Sequence, residues 1–289
     1  NAGGKMDTKI TLTAHRGYRQ KFPENTMISF REALKLDIDS IETDVRMTND
    51  HQIVVIHDQT LQRTTDKEGH VCDRSLAEVR EADAGIKFGK QFKGEKVPVL
   101  TELLELLKDR KDVKLLLELK DYPEEYGNFA YASCEESLRL CKEYGVWGKD
   151  RLTIITFSTA LCAWIRRKHA GEDITIHGFY PKAKMKGSDS DDPYKYIDEV
   201  CIFSTDSGVY PDGRPSWRTT GTSFEDDKLV YDTFKMMGIK PCVYYSWNTD
   251  EKLYERCAKL GAIGFTCDDA YTCGKILDKL GLRKLKNKD

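Results

Sequence analysis

The chain lacks any apolar run close to the ~18 residues a helix needs to cross a bilayer, so no stable membrane insertion is expected. It also lacks an excess of either charge, with 46 Lys and Arg against 48 Asp and Glu and a net charge of −2 at pH 7. That balance removes the general attraction to nucleic acid or to anionic lipid that a basic chain would have. No Cys-x-x-Cys pair with zinc spacing occurs, although nine cysteines are present. An odd count rules out complete internal pairing. Cys201, Cys242 and Cys267 sit inside apolar strand-like runs, where a free thiol behaves as a small hydrophobe. Taken alone, these thiols indicate a reducing compartment. The opening Asn1-Ala2 is not a natural initiator and fits removal of a leader, hence export. The two indications leave the compartment open. The Ser- and Asp-rich stretch 187–192 lacks the spacing of an EF-hand loop, including its glutamate at the twelfth position, and reads as a solvated loop.

What is present is a strict alternation. At 289 residues, with 39% apolar and 33% charged, the chain suits one α/β barrel or two smaller domains. Strand-like runs are expected at 10–14, 40–45, 114–119, 152–157, 174–179, 200–203, 241–245 and 262–267. Helical patterns fall between most of them, at 25–36, 100–108, 134–144, 159–168, 224–237 and 250–260, while the fifth and sixth strands are joined by a polar, loop-like stretch. Strand–helix alternation implies parallel strands with crossover helices, and eight such strands imply a closed TIM-type (β/α)₈ barrel. The run 53–57 breaks the pattern. Following the turn-rich 47–51, it reads as a hairpin that carries His57 back towards Glu42. Residues 59–97 have no place in a minimal barrel and are expected as an inserted cap. The layout is then one barrel over 8–282, preceded by linker residues 1–7 and followed by a basic tail, 283–289, read as a frayed helix end.

Polar residues appear where the apolar runs end: His15-Arg16-Gly17, Glu42-Thr43-Asp44, His57-Asp58 and Glu118-Leu119-Lys120. Residues two apart on a strand share a face, so Glu42 projects with Asp44 and Glu118 with Lys120. A barrel places its site at the C-terminal strand ends. Three carboxylates there supply oxygen ligands suited to a hard divalent ion, Mg²⁺ or Ca²⁺. Glu118 ends a Leu- and Val-rich run, where an unpaired carboxylate would be costly. His15 and His57 can exchange protons near neutral pH, and Arg16 can grip an anion through two hydrogen bonds. Gly17 allows close backbone approach. His51, His70, His169 and His177 read as ordinary surface or core imidazoles. A cation, an arginine and two histidines suit cleavage of a phosphate diester.

In order and spacing these phrases, with Pro23-Glu24-Asn25-Thr26, Thr60-Leu61-Gln62-Arg63-Thr64-Thr65 and Phe157-Ser158, resemble the glycerophosphodiester phosphodiesterases over nearly the whole chain. The resemblance implies a TIM barrel with a small inserted cap, one divalent metal ion on Glu42, Asp44 and Glu118, and an acid–base pair of His15 and His57. It places Arg16 and Lys120 near the phosphate. Asn25 is read as the cap of the first helix and Glu24 as a brace. Two phrases depart from the family: Tyr245-Ser246-Trp247-Asn248 stands where Trp-Thr-Val-Asn is common, and Thr266-Cys267-Asp268-Asp269-Ala270 replaces Ile-Thr-Asp-x-Pro. Tyr245 and Trp247, two apart, are expected to line the alcohol pocket. The expected activity is hydrolysis of a small glycerophosphodiester to an alcohol and glycerol 3-phosphate. A lysophospholipase D-like or sphingomyelinase-like lipid activity and a non-catalytic glycerophosphodiester-binding protein are the alternatives.

Overall fold

The computed structural model describes residues 9–203, 223–245 and 251–283. The strands are β1 (Thr11–His15), β2 (Ser40–Met47), β3 (Ile53–Val55), β4 (Lys114–Leu119), β5 (Leu152–Ile155), β6 (Thr175–Tyr180), β7 (Glu199–Ile202), β8 (Lys240–Tyr245) and β9 (Gly264–Cys267). The helices are α1 (Met27–Ala33), α2 (Leu76–Arg80), α3 (Leu100–Leu107), α4 (Pro123–Tyr126), α5 (Asn128–Glu143), α6 (Thr159–Lys168), α7 (Phe224–Met236), α8 (Glu251–Leu260) and α9 (Ala270–Lys279). Every neighbouring pair among β1, β2 and β4 to β9 is parallel, and β1 pairs with both β2 and β9. The sheet is therefore closed, and the expected eight-stranded barrel is what forms. Between β6 and β7 two 3-10 turns, Lys182–Lys184 and Pro193–Lys195, stand in place of a crossover helix.

The pleat sorts the side chains. Outward positions of the strands are apolar (Ile41, Val45, Leu115, Leu117, Ile154) and fully buried under the helices. Along β4 the register Leu116↔Thr153, Glu118↔Ile155 fixes which residues point inward. Continued round the barrel, it puts Thr13, Ser40, Thr153, His177, Glu199 and Cys242 into the lumen. Barrel lumens are ordinarily packed with branched apolar residues. This one is polar for much of its depth.

β3 runs antiparallel to β2, with Val45↔Val55 and Met47↔Ile53 in register. Beyond it the Ile56 N–H donates to the Asp44 carbonyl at 3.0 Å, which brings His57 to the end of β2 that carries Glu42 and Asp44, as the hairpin reading requires. Arg46, 5% exposed, ties this corner together. Its guanidinium donates to the carbonyls of His57 (2.8 Å) and Lys120 (3.2 Å), the residues that follow β3 and β4. Segment 59–97 packs Leu61, Val71, Val79 and Val97 against Val54 and Ile56 in a small apolar cluster of its own.

Helix α1 starts later than expected. Thr26 caps it, its hydroxyl accepting from Ser29 N, and Asn25 lies before the cap at φ 55°. Asn25 is thus not the cap residue; its side chain is used in the site. Helix α5 begins six residues earlier than its periodicity suggests, α2 and α4 add short turns, and α9 follows β9 to close the barrel.

Candidate active site

The strand ends bring the expected carboxylates together. Glu42 and Asp44 on β2 and Glu118 on β4 each offer an oxygen within 4.8 Å of the others. All three are buried, and Glu42 Oε1 and Asp44 Oδ1 have no hydrogen-bond partner among the described residues. Burial, followed by repulsion from Asp44 and Glu118, raises the pKa of Glu42; burial likewise raises that of Glu118, against Lys120 and with Asp44 adding to it. Burial would raise Asp44 too, but Arg16, His57 and Lys120 outweigh it and hold that carboxyl below its ordinary range. A buried carboxylate oxygen with no donor costs free energy unless a cation meets it. An all-oxygen trio with orphaned lone pairs fits a hard divalent ion.

Arg16 follows β1 in the left-handed region at φ 56°, and Gly17 continues the turn at φ 79°. A Cβ on Gly17 would stand 2.2 Å from the Ser29 hydroxyl, so the close approach Gly17 permits is used. The turn aims the Arg16 guanidinium at Asp44 Oδ2 (3.3 Å) and Glu24 Oε2 (2.7 Å). Lys120 Nζ lies 3.3 Å from Glu118 Oε1, and the cation is stabilised despite its burial by Glu118 and Asp44. Both cations face the same cavity.

The two histidines are built alike. His15 Nδ1 lies 2.6 Å from Asp268 Oδ1, and His57 Nδ1 lies 2.7 Å from Asp58 Oδ1. An ionised carboxylate only accepts, so Nδ1 carries the proton in each neutral ring and Nε2 is left for chemistry. His15 Nε2 points at Glu42 Oε2, 3.6 Å away. Asp58 is held ionised, against its partial burial, by His57 and Arg63. Arg63, from segment 59–97, spans Asp58 (2.9 Å) and Glu24 (2.7 Å). Glu24 gathers Arg16, Arg19 and Arg63, and they pull its carboxyl down to about 2 although burial alone would raise it. Glu24 thus ties three arginines together at the edge of the site.

Several contributors were missed from sequence. Asn25 donates from Nδ2 to Asp44 Oδ2 at 3.0 Å and accepts at Oδ1 from the Thr43 hydroxyl at 2.9 Å, which orients the carboxylate between them. Asp268, at the end of β9, reaches His15 only because the barrel closes β9 onto β1. Arg19, 3.7 Å from Asp268 and 3.4 Å from Glu24, bridges the two carboxylates. His177, read as an ordinary imidazole, lines the cavity. Of the expected pocket residues, Trp247 and the side chain of Tyr245 lie outside the described residues.

His15, Arg16, Glu42, His57, Glu118 and Lys120 all line one cavity of about 280 Å³. Its opposite wall is apolar, where Phe157 and Phe179 stack with ring centres 3.6 Å apart and Phe203 stacks on Phe179 at 5.5 Å. One side of the cavity therefore suits an anion and the other an apolar group.

Closed barrel and acidic trio define the class: a (β/α)₈ barrel built around a candidate divalent-cation site at its C-terminal strand ends. Residues 15–269 match the profile of the Glycerophosphoryl diester phosphodiesterase family. The chain belongs to that family. A glycerophosphodiester phosphodiesterase of Caldanaerobacter subterraneus is 43% identical over 151 residues, which cover 52% of this chain and 59% of the relative. One from Bacillus altitudinis is 38% identical over 128 residues, 44% of this chain and 50% of the relative. The matched stretch thus spans little more than half the length of these curated relatives. Among solved structures, a phosphodiesterase of Oleispira antarctica in complex with the product sn-glycerol-3-phosphate superposes with a TM-score of 0.71 at 23% identity, covering 93% of this chain and 96% of that one. A glycerophosphoryl diester phosphodiesterase of Parabacteroides distasonis gives 0.67 at 20%, covering 98% and 91%. At these identities the superpositions establish the fold.

Proposed function

We propose that this protein is a divalent-metal-dependent phosphodiesterase that cleaves glycerophosphodiesters to glycerol 3-phosphate and an alcohol. The observation that carries this reading is one corner that gathers a carboxylate trio with orphaned oxygens, two cationic side chains and two imidazoles each held at Nδ1 by an aspartate. Glu42, Asp44 and Glu118 would hold Mg²⁺ or Ca²⁺, which supplies charge neutralisation at a phosphoryl oxygen. Arg16 and Lys120 add positive charge, so a phosphate diester is bound and its developing charge stabilised. Of the two histidines, one accepts a proton at Nε2 from the attacking oxygen, that of water or of the substrate's own hydroxyl, as the new P–O bond forms; in the second case water then opens the cyclic phosphate to glycerol 3-phosphate with the histidine roles exchanged. The other delivers a proton from Nε2 to the alcohol oxygen as the old P–O bond breaks. Asp268 and Asp58 fix the tautomers and stabilise each imidazolium in its turn. His15 is deeply buried beside Glu42, whereas the His57 side chain is 30% exposed and suits exchange of its proton with solvent. The curated relatives and the product complex of the Oleispira protein support the substrate assignment.

The test is release of glycerol 3-phosphate from glycerophosphocholine and glycerophosphoethanolamine with Mg²⁺, with Ca²⁺ and with EDTA. Release that needs the cation and disappears in Glu42→Ala supports the proposal. Cleavage of lysophosphatidylcholine alone would transfer the reading to a lipid substrate. Binding without turnover would make the protein a glycerophosphodiester receptor.

A further inference from the structure

Deeper in the lumen lies a second group of ligating side chains that the proposed reaction does not use. His177 on β6, Glu199 on β7 and Cys242 on β8 stand on three consecutive strands, and their ligating atoms all lie within 4.8 Å of one another. Register explains the cluster: His177 faces Glu199 across one strand pair, and Cys201 faces Cys242 across the next. His177 Nδ1 is 3.3 Å from Glu199 Oε1. His177 also lines the wall of the 280 Å³ cavity, so the cluster borders the active site through its imidazole.

Packing does not call for these residues. A lumen of this width is normally filled by Val, Ile and Leu, and replacing a buried ion pair by apolar side chains is often neutral or stabilising. The donor set is specific, with one imidazole nitrogen, one carboxylate oxygen and one sulfur. We propose that His177, Glu199 and Cys242 form a second cation site, selective for a thiophilic divalent ion such as Zn²⁺, in the barrel lumen beside the active-site cavity. Borderline-soft ions prefer such a mixed set, whereas the all-oxygen trio above it suits hard ions. Three protein ligands would leave one tetrahedral position for water or an added ligand. On binding, the S–H bond of Cys242 is exchanged for a sulfur–metal bond and the thiol proton leaves to solvent. Lys114 and Lys240 stand near Glu199 and compete with an incoming cation, so the affinity falls below that of a closed structural zinc site. The competing account makes His177 and Glu199 a simple ion pair with Cys242 as filler, and it predicts no sulfur ligand.

Cobalt(II) distinguishes the two accounts without reference to catalysis. Titrating the metal-free full chain with Co²⁺ is expected to produce a thiolate-to-cobalt charge-transfer band in the near ultraviolet. It should saturate at one equivalent and be displaced by Zn²⁺. The oxygen-only trio cannot give that band, so it should persist in Glu42→Gln, in Cys201→Ser and in Cys72→Ser, and vanish in Cys242→Ser. Because Cys242→Ser alters the lumen, His177→Gln provides a second arm that keeps every thiol. It is expected to weaken cobalt binding beyond the ~10-fold that loss of an outer partner alone costs. Absence of the band in the wild-type protein, or its survival unchanged in Cys242→Ser or His177→Gln, would overturn the proposal.

Discussion

At the level of single side chains, each histidine proposed to move a proton has a carboxylate partner that sets its state. His15 is clamped by Asp268 and His57 by Asp58. Replacing His15 by Ala is expected to lower kcat by ~10²–10⁴, the usual contribution of a general acid or base. Asp268→Asn keeps the ring but loosens its tautomer. It should cost ~10–100-fold in kcat with KM little changed, and it should reshape the pH profile, which a merely structural role would not. Asn25→Ala removes the donor that orients Asp44, so steady-state titration should show metal affinity falling ~10-fold at unchanged kcat in saturating Mg²⁺. Glu24 carries a stability signature. Its folded pKa, about 2 against an ordinary 4.5, lies below the unfolded value. The stabilisation it gives is therefore complete above pH ~4.5 and is lost as pH falls through that window towards ~2. Urea melts between pH 5 and pH 3 should accordingly show a shallower loss of stability in Glu24→Gln than in the wild-type protein; parallel slopes would refute the assignment. Little of this scale could be read along the chain. Strand-end phrases exposed the trio, the two histidines, Arg16 and Lys120, because those residues interrupt apolar runs. Asp268, Arg19 and the role of Asn25 carry no such signal, since their partners are set by barrel closure and by a left-handed residue at position 25.

Elements place those side chains. The hairpin β2–β3 folds His57 back over Asp44, and Arg46 locks its end to the end of β4. Helix α1 sets the other flank: Ser29 Oγ donates to the Arg16 carbonyl at 3.0 Å, and Phe30 is fully buried beneath it. Two substitutions separate stability from positioning. Phe30→Ala should cost ~3–5 kcal/mol in denaturant melts while leaving kcat nearly intact at a temperature where the protein remains folded. Gly17→Ala combines a positive φ with a Cβ driven into Ser29, so it should destabilise by more than ~1 kcal/mol and lower activity together by displacing Arg16. Equal kcat for wild type and Gly17→Ala would show that Arg16 does not need this turn. The strands, the hairpin and the missing helix between β6 and β7 were legible in the pattern of apolar runs. Helix boundaries were less so: Thr26 and not Asn25 caps α1, because Asn25 is engaged by Asp44 and Thr43.

At the scale of the whole molecule, closure of the sheet is what turns scattered phrases into a site. β1, β2, the β3 hairpin, β4 and β9 each contribute a residue to the same corner, while β5 to β7 carry the aromatic wall opposite. The polarity of the lumen was not legible, because inward positions of neighbouring strands become a common layer only once the register is known; Thr153, His177 and Glu199 look unremarkable singly. The central proposal is that the trio and the histidine pair cleave the P–O bond to the alcohol, so that the phosphate stays on glycerol as glycerol 3-phosphate. A ³¹P NMR time course on glycerophosphocholine with Mg²⁺, run for the wild-type protein and for His15→Ala, tests it most directly. The diester resonance should give way to that of glycerol 3-phosphate, stop on addition of EDTA, and persist essentially unconverted with His15→Ala. Conversion undiminished by EDTA or by loss of His15, or a phosphate monoester other than glycerol 3-phosphate, would contradict the account.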